Sequence, residues 1–150
     1  MALSQFEEII RFAMDKEREA VLFYEDLARK TEGPAIREAL LSMANEERKH
    51  EKMLKGLTPK NIRFVEPPSQ PDMKLSDYVV DVEPARDLSY QEILIIAMKR
   101  EEKAYALYSD LETRAPDPAT RKIFTLLKGE ELRHKSMLER EYEQRVLRDG

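Results

Sequence analysis

Glu47-Arg48-Lys49-His50 and Glu131-Leu132-Arg133-His134 contain the chain's only two histidines, each three residues after a glutamate. The two stretches lie 84 residues apart, and the same offset carries Glu17 onto Glu101. On a helix, residues three apart share a face, so each Glu-x-x-His presents two ligating groups to one point. A glutamate plus a Glu-x-x-His, present twice and all on helices, is the ligand set of a two-metal carboxylate site inside a four-helix bundle. The quoted tetrapeptides therefore bear on fold and chemistry together.

The offset extends well beyond the six ionisable residues. Residues 1–56 align without a gap on residues 85–140, with identity at seventeen positions that include Tyr24, Pro34, Glu46 and Leu54 of the first copy. A biased composition does not produce that many matches by itself, so the chain reads as a duplicated helical hairpin. Helix starts are marked in both copies. Ser4-Gln-Phe-Glu7 and Ser89-Tyr-Gln-Glu92 have the form of capping boxes. Pro34 and Pro118 sit where proline opens a helix, the second behind Asp117 as its cap. Helices are predicted over 4–30, 34–56, 89–114 and 118–144.

The chain is thus expected to be one all-α domain over residues 1–150. It comprises a hairpin at 4–56, a crossover at 57–88 and a second hairpin at 89–144. The crossover holds Pro59, Pro67, Pro68, Pro71 and Pro84. It is long enough to run the length of a bundle and start the second hairpin at the far end. One such crossover between two hairpins is the ferritin-like connection. It is read as a spacer in which short pieces such as 62–65 lie against the bundle, with a lid or a dimer contact as the alternative role.

Inward stripes at alternating three- and four-residue steps locate the chemistry. The first helix gives Phe6, Ile10, Ala13, Glu17, Ala20, Tyr24 and Leu27; the second gives Leu40, Met43, Glu47, His50 and Leu54. The third gives Leu94, Ala97, Glu101, Ala104, Tyr108 and Leu111; the fourth gives Phe124, Leu127, Glu131, His134 and Leu138. The six proposed ligands are the only acids or histidines on these seams. Glu46 and Glu130 fall beside them. Glu17 and Glu47 are equidistant from residue 32, and Glu101 and Glu131 from residue 116, so each hairpin levels its own pair.

Burying one unpaired carboxylate costs several kcal/mol, and no lysine or arginine occupies the seams to neutralise four. Two divalent cations would balance four carboxylates and leave neutral imidazoles as further ligands. Oxygen donors with imidazole suit iron or manganese, and zinc can substitute. Singly, a core histidine or an inward glutamate has an ordinary explanation; six in a symmetric pattern point to metal. Met14 and Met98, one turn before Glu17 and Glu101, read as core filling. Gly129, inside a predicted helix, is read as marking a close helix contact or a bulge. The charged tail from Glu139 reads as a solvated helix end.

Composition removes other classes. The formal net charge of −4 lacks the basic excess of a nucleic-acid binder. The longest unbroken apolar run is residues 93–98, too short for a membrane span. No signal-peptide pattern opens the sequence, so a cytoplasmic location is expected. With no cysteine, disulfides, thiol catalysis and thiolate metal sites are excluded for these residues.

At these residues the chain resembles the rubrerythrin branch of the ferritin-like di-iron carboxylate proteins. The carriers are Glu17-x-x-Ala20-x-x-x-Tyr24, Glu101-x-x-Ala104-x-x-x-Tyr108 and the two Glu-x-x-His motifs. The resemblance implies Glu17 and Glu101 as terminal ligands and Glu47 and Glu131 as bridges, with His50 and His134 binding one metal each. It implies two iron ions, peroxide or dioxygen as substrate, and an oxidoreductase acting through the six metal ligands. Tyr24 and Tyr108 either hydrogen-bond ligand glutamates or fill the core with satisfied hydroxyls. Two departures stand out. The iron–tetracysteine domain of full rubrerythrins has no counterpart, which calls for an external electron donor. The family's further glutamate after the third-helix ligand is Ala104 here. A dimanganese catalase-like enzyme, an iron oxidation and storage protein, and a metal-free helical interaction module are the alternatives; a homodimer is compatible with each.

Overall fold

A computed structural model describes residues 5–57, 73–80, 88–115 and 117–147. Four long helices dominate it: α1, Gln5–Lys30; α2, Pro34–Lys55; α3, Tyr90–Arg114; and α4, Pro118–Tyr142. A short 3-10 helix, Leu75–Tyr78, lies in the crossover, and a π-helical turn, Glu143–Leu147, ends the described chain. The helices begin and end within two residues of the predicted spans.

Local chemistry accounts for the starts. Ser89 and Glu92 form the reciprocal capping box, each satisfying the other's backbone donor. Asp117 Oδ1 accepts from the Thr120 backbone N–H at 2.8 Å, and Pro118 follows at the first helical position. Pro34 opens α2 without a side-chain cap before it. Ser4, the other predicted cap, lies outside the described residues.

Partners across the bundle give the topology. Tyr24 on α1 meets Glu101 on α3, and Tyr108 meets Glu17. The order is reversed, so α1 and α3 run antiparallel. His50 with Glu130, and His134 with Glu46, show the same for α2 and α4. Lys30 Nζ donates to Leu88 O at 3.2 Å, which puts the end of α1 beside the start of α3. The crossover therefore travels the full length of the bundle, as one long connection between hairpins must.

Apolar packing falls into two clusters rather than one. The first joins the start of α1 to the end of α3 through Phe6, Ile9, Leu54, Leu111 and Phe124. The second joins the end of α1 to the start of α3 through Leu27, Leu40, Leu94 and Leu138. Between them lies the layer of acids and imidazoles. Met14 and Met98 pack against these clusters as expected.

Three sequence expectations need correction. The crossover is more than a spacer: Met73 and Tyr78 are buried in the first cluster, and the Tyr78 hydroxyl donates to Asp110 on α3. The piece at 62–65 lies outside the described residues. The tail is not wholly solvated, because Glu141 is buried and accepts from the Tyr90 hydroxyl. Gly129 marks neither a close contact nor a bulge. It is exposed in a regular stretch of α4, and an added Cβ would meet nothing within 4 Å. Glycine there simply costs helix stability, so Gly129→Ala should stabilise the protein by about 0.5–1 kcal/mol. Thermal unfolding should register this as a rise of about 1–4 °C; an unchanged or lower midpoint would show a role for the missing side chain.

Candidate metal centre

Each of the four helices brings its part of the cluster to mid-bundle. Glu17, Glu47, His50, Glu101, Glu131 and His134 are all buried, none more than 2% exposed. Two overlapping quartets form: Glu17, Glu47, His50 and Glu131, then Glu47, Glu101, Glu131 and His134. Within each quartet one potential ligand atom per residue lies within 4.8 Å of all the others. Glu47 and Glu131 belong to both. Glu17 and His50 belong to one, Glu101 and His134 to the other.

The distances are those of groups facing a common point. His50 Nδ1 stands 3.2 Å from Glu47 Oε1, 3.4 Å from Glu131 Oε1 and 3.5 Å from Glu17 Oε2. His134 Nδ1 stands 3.3 Å from Glu47 Oε1, 3.5 Å from Glu131 Oε1 and 3.8 Å from Glu101 Oε2. Ligands held about 2.1 Å from one ion sit roughly 3–3.5 Å from each other. The imidazole rings stack at 6.3 Å between centroids, one in each quartet.

Hydrogen bonding supplies the test of fit. Glu17 Oε2, Glu47 Oε1, His50 Nδ1, Glu101 Oε2, Glu131 Oε1 and His134 Nδ1 are buried atoms without a hydrogen-bond partner among the described residues. Each of the six residues contributes one such atom, and these are the atoms that converge. Buried polar atoms are otherwise almost always paired. A pair of cations would satisfy all six at once, so the residues fit a two-metal group.

The remaining polar atoms are held by neighbours. Tyr24 donates to Glu101 Oε1 and Tyr108 to Glu17 Oε1, each from the other hairpin. Tyr24 and Tyr108 thus hydrogen-bond the acids rather than serving only as core aromatics. Two residues set aside on sequence, Glu46 and Glu130, also take part. Glu46 Oε2 lies 2.6 Å from His134 Nε2 and 2.6 Å from Arg133 Nη2, and Glu130 pairs with His50 Nε2. Both are displaced from their own helix seam yet reach the imidazole of the opposite hairpin. Their repetition beside Glu47 and Glu131 was the available signal.

Electrostatics records the cost of the layer. Burial, followed by the charges of neighbouring glutamates, pushes the Glu47, Glu101 and Glu131 carboxyls well above the usual carboxylate range. Burial and the adjacent acids also push the Tyr24 and Tyr108 phenols well up, so both remain donors. Burial opposes a charge on His50, but the carboxylates of Glu131, Glu17 and Glu47 outweigh it and raise its pKa. Burial would raise Glu46 too; the bond to His134 and the Arg133 charge bring it below its ordinary value.

The family model described as rubrerythrin matches residues 8–142. The chain belongs to the rubrerythrin family. A hypothetical protein from Pyrococcus furiosus has a similar structure, with a TM-score of 0.71 and 29% identity over 92% of this chain and 88% of its own. A Thermotoga maritima protein described as ferritin-like and diiron-carboxylate is similar in fold, with a TM-score of 0.70 and 20% identity over 97% of this chain and 98% of its own. No curated protein matches the chain. The fold is therefore the ferritin-like four-helix bundle. Family and buried Glu/His cluster together point to a metal site. Among the described residues, no helix is long and apolar enough to cross a membrane.

The pKa shifts fix how stability of the metal-free protein should vary with pH. A carboxyl whose folded pKa is raised costs stability as pH climbs above its unfolded value, about 4.3 for glutamate. A histidine with a raised folded pKa contributes stability below about 6.5 that is lost as pH rises further. Glu47, Glu101, Glu131 and His50 thus act in the same direction. Chelator-treated protein should melt at a higher temperature at about pH 5.5 than at about pH 8. Divalent metal should restore the midpoint at the higher pH. A metal-free midpoint that rises over this interval would contradict the shifts.

Proposed function

We propose that the six converging residues hold two iron ions and that the protein is an oxidoreductase reducing peroxide or dioxygen at them. The observation that carries this is the convergence of six unpartnered buried atoms, one from each residue. Glu47 and Glu131, shared by both quartets, would be held in common by the two ions, with Glu17 and His50 holding one and Glu101 and His134 the other. Two ferrous ions, when bound, supply the two electrons needed to reduce a peroxide bond and stabilise the negative charge developing on oxygen.

The chain's own residues prepare that site. Tyr24 and Tyr108 keep their protons and fix one oxygen of each terminal carboxylate, leaving the other directed inward. Glu46 and Glu130 accept from the histidine Nε2–H groups, which sets the tautomer and presents the Nδ1 lone pairs to the centre. The two apolar clusters pack the bundle on either side of the layer. With no cysteine in the sequence, electrons for further turnovers come from a donor outside these residues.

Ferrous protein mixed with peroxide in a stopped-flow spectrometer should oxidise rapidly. Glu47→Ala, which removes a bridge, should slow this by more than the roughly 10–100-fold typical of lost supporting contacts. Comparable rates in the two proteins would contradict the assignment. Oxygen release from peroxide without added reductant would mark manganese catalase-like chemistry instead. Glu46→Ala should retain the metal stoichiometry while weakening metal affinity by about 10–100-fold. Unchanged affinity would show that Glu46 does not orient His134.

A further inference from the structure

A cavity of about 260 Å³ opens between α1 and α3 directly onto the acid layer. Its floor is Glu17, Glu47, Glu101 and Glu131, and its apolar walls include Ala20, Ala104 and Leu107. Residues 78–80 of the crossover close one side, with Tyr78 tethered to Asp110. Peroxide and dioxygen are little larger than water, whereas this space holds roughly nine waters' volume. On the α2–α4 side, Glu46, Glu130 and Arg133 occupy the approach to the histidines. Among the described residues, access to the layer is therefore from the α1–α3 face.

Charge around the opening is positive. Lys16, Arg100 and Lys103 stand there with Glu19 as their acidic neighbour. Glu19 is 2.9 Å from Lys16 Nζ and 3.9 Å from Arg100 Nη1. Lys103 has no ion-pair partner among the described residues. Arg100 is the notable one. Its side chain is 21% exposed, its guanidinium lies 4.4 Å over the Phe23 ring, and its buried Nε has no hydrogen-bond partner among the described residues. A desolvated guanidinium with an unused donor is suited to a carboxylate, which it binds by paired charge-assisted hydrogen bonds. On the two-metal reading the floor carboxylates are neutralised, so the ligand meets the net positive rim.

We propose that this cavity binds a small organic carboxylate, with the anionic group on Arg100 and Lys103 and the apolar body along Ala20, Ala104 and Leu107. The metal centre would then face a bound organic molecule as well as the oxygen species. This rests on the two-metal reading and deepens it by naming a substrate class.

Calorimetric titration of the metal-loaded full chain tests it, with loading established first by elemental analysis. Benzoate supplies charge and body, benzamide the body without charge, and acetate the charge with almost no body. Benzoate should bind at least about tenfold more tightly than either. Arg100→Met should weaken benzoate binding by at least about tenfold. Ala104→Leu, which fills the cavity, should abolish it. Both variants should keep the wild-type metal content, and Arg100→Met alone decides the matter where Ala104→Leu does not. Acetate binding as tightly as benzoate would place the anion on the metals alone and overturn the proposal. Benzoate binding that is undetectable in loaded protein, or unchanged in Arg100→Met, would also overturn it. A folded chain that takes up no metal would overturn the two-metal reading itself, and elemental analysis separates that failure from the others.

Discussion

Mutual repulsion among four buried carboxylates is the constraint around which this molecule is organised. Glu17, Glu47, Glu101 and Glu131 are all shielded from water, and none of the core seams carries a lysine or arginine to answer them. Helix packing alone would not collect such groups, because each costs several kcal/mol to bury uncompensated. A pair of divalent cations changes the sign of that balance. The layer then becomes the tie between two hairpins rather than a defect between two apolar clusters.

Antiparallel pairing of the hairpins makes the support reciprocal. Each hairpin's tyrosine steadies the other's terminal glutamate, and each hairpin's off-seam glutamate holds the other's histidine. No single hairpin contains a complete quartet with its hydrogen-bonded supports. Assembly of the layer and docking of the hairpins are accordingly coupled, and a bound metal pair would contribute directly to folding stability. Symmetry ends at the surface. The α2–α4 side is occupied by ion-paired side chains, whereas the α1–α3 side keeps two alanines and a cavity with a cationic rim.

Much of this was legible in the residues because helical periodicity and an internal repeat reinforce each other. Glu47 could be chosen over Glu46, and Glu131 over Glu130, from seam position alone, and the structure brings together the six residues so chosen. The caps at Ser89 and Asp117 were equally readable, since their chemistry is local. What periodicity missed depends on contacts between elements. Glu46 and Glu130 are off-seam within their own helices and become structural partners only when the opposite hairpin arrives. Met73 and Tyr78 lie in an aperiodic segment, where no repeat distinguishes a buried side chain from an exposed one. Glu141 was hidden for a similar reason, because Tyr90, its donor, comes from the start of another helix. Gly129 shows the converse error, in which a residue that is costly in a helix was credited with a contact it does not make.

Elemental analysis of the folded chain after equilibration with ferrous iron and removal of excess metal tests the central claim most directly. Cation compensation of the buried acids predicts two ions per chain, and a lower content after any one of the six converging residues is replaced. A correctly folded, monodisperse protein that retains no transition metal would contradict it.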